Sequence, residues 1–198
     1  TPTASNLGAG TYGVTITDAV GCNASTSVTI TEPTPIIYIQ NITDPTCFNY
    51  CDGVAWLGVS GGTNPYTFSW LDASNNPIGT NNDSLVGQCS GTYNLTLTDA
   101  NGCVELMQFT LLNPTQVTGT ISSTNVNCNS VCDGTATITP TNGVMPFTFS
   151  WNDPAAQTTG TATGLCAGSF TGILTDDNGC FNTFTTNITE PPLLTSSI

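Results

Sequence analysis

The chain has 198 residues, room for one large domain or two of about 80–100, and it carries 13 acidic residues with no Lys, Arg or His, a net charge of −13. That balance excludes partners that need cationic contacts, nucleic acid first among them, and an anionic membrane surface repels it. Without His or Lys there is no Ser/His/Asp or Cys/His machinery and no amine nucleophile; the acids recur as turn residues (Asp18, Asp99 and Asp176; Asp52 and Asp133) rather than as a glycosidase-type carboxylate pair, so no enzyme is expected.

Hydrophobic residues make up 38% of the chain and recur at strand spacing, which argues for a packed core despite the low charge content. No apolar run approaches the roughly 18 residues of a membrane span. The opening TPTASNLGAG has neither the basic start nor the apolar core of a signal peptide, so targeting information is expected to lie outside this stretch.

In chain order, GTYGVTITDAVGC (10–22) predicts a strand, a turn at Asp18–Gly21 and a cysteine. The segment returns as GTYNLTLTDANGC (91–103) and GSFTGILTDDNGC (168–180), at offsets of 81 and 77 residues. Upstream of the last two copies, CFNYCDG (47–53) aligns with CNSVCDG (128–134), and NPYTFSW (64–70) with MPFTFSW (145–151). Proline junctions close the units at 31–33, 112–114 and 189–192. Residues 1–33 therefore read as the tail of one repeat, 34–114 and 115–192 as two complete repeats, and 193–198 as the start of another. A half-sandwich of 33 residues is expected to expose an apolar face.

Within a repeat the period is two. Tyr93, Leu95 and Leu97 share a face, as do Phe170, Gly172 and Leu174, with Thr and Asn opposite. Tyr66, Phe68 and Trp70 line another strand, matched by Phe147, Phe149 and Trp151, which puts both tryptophans in a core. Trp56 differs, because the aligned outer positions of the third unit are Thr135 and Thr137. It is expected to face outward, against a neighbouring repeat in preference to a ligand. Six or seven short strands in about 80 residues, turn signals between them and no helical periodicity predict an all-β chain, a tandem array of immunoglobulin-like β-sandwich repeats.

Nine cysteines in a cation-free chain suggest disulfides. Each complete repeat holds four: Cys47, Cys51, Cys89 and Cys103, then Cys128, Cys132, Cys166 and Cys180. The ninth, Cys22, lies in the first, partial repeat and is expected to be unpaired within this stretch. Four cysteines allow three pairings. The first repeat keeps Cys22 but has Gly8 where the others have Cys89 and Cys166, so Cys89 and Cys103 are not expected to pair with each other. A four-Cys zinc site per repeat is disfavoured by the spacing.

The unit C-x3-C-D-G, then P-Y-T-F-S-W, G-T-Y, T-D-A-N-G-C and a closing T-E-P, closely resembles the SprB repeat of giant gliding-motility adhesins from bacteria with a type 9 secretion system. The resemblance covers essentially the whole chain, departing at Leu106, Met107 and Leu111–Asn113. It implies an extracellular, cell-surface filament that adheres to surfaces or polysaccharide and is carried by the motility machinery. It also implies a disulfide pairing of second with third and first with fourth: Cys51–Cys89 and Cys47–Cys103, Cys132–Cys166 and Cys128–Cys180.

The function this implies is the structural stalk of a surface adhesin, with neighbouring repeats as its immediate partners and proline junctions making the array semi-rigid. The alternative is a glycan-binding module, for which Trp56 is the main support. Asn-x-Ser/Thr triplets at Asn23, Asn41, Asn82, Asn94 and Asn187 are expected by chance in so Thr- and Asn-rich a chain, and Asp83-Ser84-Leu85 resembles an O-glycosylation signal at Ser84. No cofactor is expected. The turn at Asp176–Asn178 and the acids Glu32 and Glu190 are the candidates for Ca²⁺; only diffuse screening, and no specific metal site, is expected there.

Overall fold

A computed structural model describes residues 3–195, and every regular element in it is a strand. The expected continuation at 193–198 lies partly outside the described residues. Strands β1 (Gly10–Thr17) and β2 (Asn23–Ile30) form a hairpin. Seven follow: β3 (Ile36–Thr43), β4 (Gly53–Gly61), β5 (Thr67–Leu71), β6 (Pro77–Ile78), β7 (Ser84–Gln88), β8 (Gly91–Thr98) and β9 (Val104–Leu111). The last six are β10 (Thr118–Thr124), β11 (Gly134–Asn142), β12 (Thr148–Trp151), β13 (Thr161–Leu165), β14 (Gly168–Thr175) and β15 (Phe181–Ile188).

In the second repeat the sheet β3-β4-β7 faces the sheet β6-β5-β8-β9, and in the third β10-β11-β13 faces β12-β14-β15, all pairs antiparallel. This is the immunoglobulin-like arrangement of two Greek-key sheets. One core gathers Leu57, Trp70, Leu95, Leu97, Phe109 and Leu111 between the sheets; a second gathers Ile138, Trp151, Ala162, Leu174 and Ile188. Period-two patterning explains both. Along β8, Tyr93, Leu95 and Leu97 are buried while Thr92, Asn94 and Thr96 are less so.

Two local devices fix the sandwich. The Trp70 indole N–H donates to the Asn82 carbonyl and Trp151 to the Thr159 carbonyl, each at 2.9 Å, so the large apolar ring enters the core with its one polar atom satisfied. At the start of β8 the Tyr93 hydroxyl donates to the Cys89 carbonyl four residues back, a tyrosine corner. Tyr12 repeats it onto the Gly8 carbonyl, whereas the third repeat has Phe170 at that place.

Among the described residues the first hairpin has no facing sheet. Ile16 is 69% exposed where its counterpart Leu97 is 0%, and Val14 50% where Leu95 is 1%. This is the uncovered apolar face that the pattern predicts.

Candidate functional site: the junction between repeats

Each repeat has two ends, and each end is built by a recurring carboxylate turn. At one end lies the hairpin turn that closes β8 to β9. The Asp99 carboxylate accepts N–H groups from Asn101 and Cys103 on Oδ1, both at 2.9 Å, and from Thr63 on Oδ2 at 3.0 Å. Asp176 does the same with Asn178, Cys180 and Val144. In the first repeat Asp18 accepts from Val20 and Cys22. Gly21, Gly102 and Gly179 supply the positive φ, at +91°, +82° and +81°. The result is one conformation written three times, with Cys22, Cys103 and Cys180 each following the turn glycine.

With no cation in the sequence, these carboxylates are held by backbone N–H groups instead. Burial alone would raise the Asp99 pKa, but the N–H groups of Cys103, Thr63 and Asn101 outweigh it and hold the carboxyl below its ordinary value. Asp52, held by Thr46, Asp72 by Asn76, Asp133 by Asn127 and Asp153 by Gln157 are lowered in the same direction. A depressed folded-state pKa contributes stability above the unfolded value of about 3.9 and loses it as pH falls through the folded value. Since the chain has no His, the melting temperature is expected to be flat from about pH 5 to 7.5 and to fall below about pH 4. Thermal melts followed by circular dichroism across that range check this. A melting temperature that climbs on acidification would show that relief of charge repulsion outweighs the lost hydrogen bonds.

At the opposite end lies the C-x3-C loop between β3 and β4. Asp52 accepts the N–H and hydroxyl of Thr46, and Asp133 the N–H and side-chain amide of Asn127. The N–H groups of Tyr50 and Val131 turn back onto the carbonyls of Cys47 and Cys128. The loop also grips the exit of its own repeat. The Asn49 N–H donates to the Asn113 side chain, and the Ser130 N–H to the Glu190 carboxylate at 2.9 Å. Asn113 thus does for the second repeat what Glu190 does for the third, which explains why the departure from T-E-P at 112–114 leaves the fold intact. Glu190 is engaged by the backbone, and among the described residues no group of three or more His, Cys, Asp or Glu gathers as a metal-ligand set.

The disulfides divide. Cys51 is bonded to Cys89 and Cys132 to Cys166, second with third in each repeat. Glycine bulges make this possible: Gly87 at φ +70° and Gly164 at +68° interrupt the strands two residues before Cys89 and Cys166 and bring them under the C-x3-C loop. The expected bonds of first with fourth, Cys47–Cys103 and Cys128–Cys180, are not formed. Instead Cys47 is bonded to Cys180 of the following repeat, and Cys22, Cys103 and Cys128 are free and exposed.

The reason is strand length. Cys89 and Cys103 lie at opposite ends of β8, whose eight residues span about 25 Å at ~3.3 Å each. Cys47 sits beside Cys51, at the Cys89 end, and a disulfide needs Cα atoms within about 7 Å. Head-to-tail stacking brings the turn of one repeat against the loop of the repeat before it. Cys47 and Cys180 are both buried, their Cα atoms are 5.5 Å apart, and the Cys180 sulfur lies 3.3 Å from the Thr46 carbonyl oxygen. Small crevices at this seam are lined from both repeats, by Pro45, Thr46, Pro114 and Asn178 and by Phe48 and Val117.

Trp56 lies on the outer face of β4 with 41% of its surface exposed and its ring over Gly58. It forms one wall of an open cleft with Tyr66, Phe68 and Asp83. Ser84, at the start of β7, is half-buried and pairs across the ladder with Trp56. No helix among the described residues is long and apolar enough to cross a membrane.

No curated protein matches the chain. Among solved structures it is similar to the N-terminal eight Ig domains of Down Syndrome Cell Adhesion Molecule, at 15% identity over 91% of this chain and 26% of that one, TM-score 0.41. It is also similar to the C-terminal 282-residue fragment of intimin, at 14% over 79% and 64%, TM-score 0.34, and to the BSP domain of a biofilm associated protein, at 18% over 76% and 29%, TM-score 0.28. The chain spans less than two thirds of each of these proteins, and the fold rests on the strands and sheets described above. The family comparison falls in register with the two sandwiches, each match running from the strand before the C-x3-C loop to just beyond the core tryptophan: the SprB repeat model matches residues 39–75 and 120–156.

Proposed function

We propose that the chain is a stalk segment of a large secreted, cell-surface adhesin, built to carry tension between a cell and the surface it holds, and in SprB-type proteins to be moved during gliding. The observation that supports this most directly is the Cys47–Cys180 bond, which joins two sandwiches covalently across a proline junction with almost no linker. Three disulfides in so small a chain suit an oxidising, extracellular setting. The division into 34–114 and 115–192, flanked by further repeats, is part of this reading, as are type 9 export and contact with the motility machinery.

A glycan-binding module is the second reading, favoured by the exposed Trp56 and the aromatic cleft beside it. The two separate in one competition assay. The purified 198-residue chain is added in excess to cells bearing the whole protein as they attach to a polysaccharide-coated surface. A stalk segment leaves attachment unchanged. A binding module inhibits it in a dose-dependent way, and Trp56→Ala abolishes the inhibition.

A further inference from the structure

We propose that successive repeats are joined by a continuous disulfide ladder, in which the first cysteine of each repeat bonds to the turn cysteine of the next, so that Cys103 and Cys128 are rungs awaiting the flanking repeats. The ladder rests on the array reading given above. One rung is present, Cys47–Cys180.

Both halves of that rung recur elsewhere in the same local structure. Cys103 and Cys22 stand where Cys180 stands, after a turn glycine, with the N–H donated to the turn Asp. Cys128 stands where Cys47 stands, its carbonyl accepting the N–H three residues on. The strand between loop and turn keeps Cys103 and Cys128 from any partner in their own repeats, as it does Cys47.

The second observation is the surface beside Cys128. An apolar cleft runs along it, lined by Asn127, Asn129, Pro191, Pro192 and Leu193. At the internal seam the equivalent surface, with Pro45, Thr46 and Pro114, is occupied by the turn that carries Asn178 and Cys180. The occupant the cleft fits is therefore the D-x-x-G-C turn of the following repeat, continuing an interface already formed once in the molecule.

Each rung forms by oxidation of two thiols. The thiolate of the C-x3-C loop attacks the disulfide of an extracellular thiol–disulfide oxidoreductase. The turn cysteine of the next repeat then displaces the oxidoreductase as a dithiol, which leaves with the two electrons. The mechanical consequence is specific. A rung closes 133 residues of chain, and successive rungs overlap, since Cys128 lies between Cys47 and Cys180. Tension then passes along disulfides and short stretches of backbone, and an unfolding repeat cannot lengthen the filament.

The test is disulfide mapping of the natural full-length protein, thiol-blocked and digested with a non-tryptic protease. Expected are Cys47–Cys180, Cys103 linked to a C-x3-C peptide of the preceding repeat, and Cys128 linked to a D-x-x-G-C peptide of the following one. Blocked thiols at Cys103 and Cys128, or bonds Cys47–Cys103 and Cys128–Cys180, overturn the ladder. A natural chain with no such repeats on either side overturns the array reading instead, and the two failures are distinct because Cys47–Cys180 survives the second. Pulling the 198-residue chain by its ends provides the mechanical readout. Cys180→Ser is expected to release the 133-residue span less the 38 and 34 residues that the inner disulfides keep closed, which is ~210 Å of extended chain. No added length in the variant would show that the rung does not carry the tension.

Discussion

Trp70→Ala is expected to unfold the second repeat first and to leave the third nearly untouched. The Trp70 ring is 2% exposed and packs at 5.0 Å between centroids, tilted 49°, against the fully buried Phe109. Truncating a buried tryptophan costs about 3–5 kcal/mol through lost transfer energy and the cavity left behind. The Asn82 carbonyl also loses its donor, so the upper half of that range applies. A repeat of about 80 residues has a total stability of only about 4–12 kcal/mol, and in a domain this small each kcal/mol moves the midpoint by about 4–8 °C. Calorimetry should therefore split one transition into two, with the lower displaced by roughly 15–40 °C. Trp151 keeps its own bond to Thr159, which is why the upper transition stays. A shift under about 5 °C would mean that the sheets close over the cavity.

The second large effect belongs to the disulfide inside each repeat. Replacing Cys51 and Cys89 together by Ser removes a cross-link spanning 38 residues, worth about 4 kcal/mol in the chain-entropy account. The shape should survive. The first repeat makes the tyrosine corner with Gly8 in place of the third cysteine, Tyr12 donating to the Gly8 carbonyl at 2.9 Å as Tyr93 donates to Cys89. The bond acts on the unfolded chain more than on the native geometry. The double variant is thus expected to keep its near-ultraviolet tryptophan signal at 20 °C while its urea midpoint falls and its denaturant slope rises, because the uncrosslinked chain exposes more surface. A variant that loses the tryptophan signal at low denaturant would show that the bond shapes the loop itself.

Much of the fold was legible from residues alone, for stated reasons. Alternation along 92–98 and 169–175 places Leu95, Leu97 and Leu174 in a core because side-chain direction in a strand has period two. The D-x-x-G-C turns follow from glycine's tolerance of positive φ and the ability of Asp to bind its own backbone. Trp56 faces outward, as its Thr counterparts predict. The work done by Asn113, where Glu was expected, was not legible, because it depends on a loop 64 residues away in sequence.

The pairing of the cysteines marks the boundary between the two kinds of knowledge. Sequence by itself determined the repeat, the sheet faces, the lack of any cationic side chain to pair with the acids and the fact that Cys22 has no other cysteine inside its own hairpin. It left Cys47 assigned to Cys103 of its own repeat, as the resemblance implied, because a pattern read within one repeat carries no sign of a partner in the next. Only the tertiary structure decided for Cys180, since a disulfide forms where two Cβ atoms meet in space, and the meeting place is set by how one sandwich stacks on the next. Stacking is a property of the seam at Pro45, Thr46, Pro114 and Asn178, residues scattered over 133 positions that no local pattern ties together.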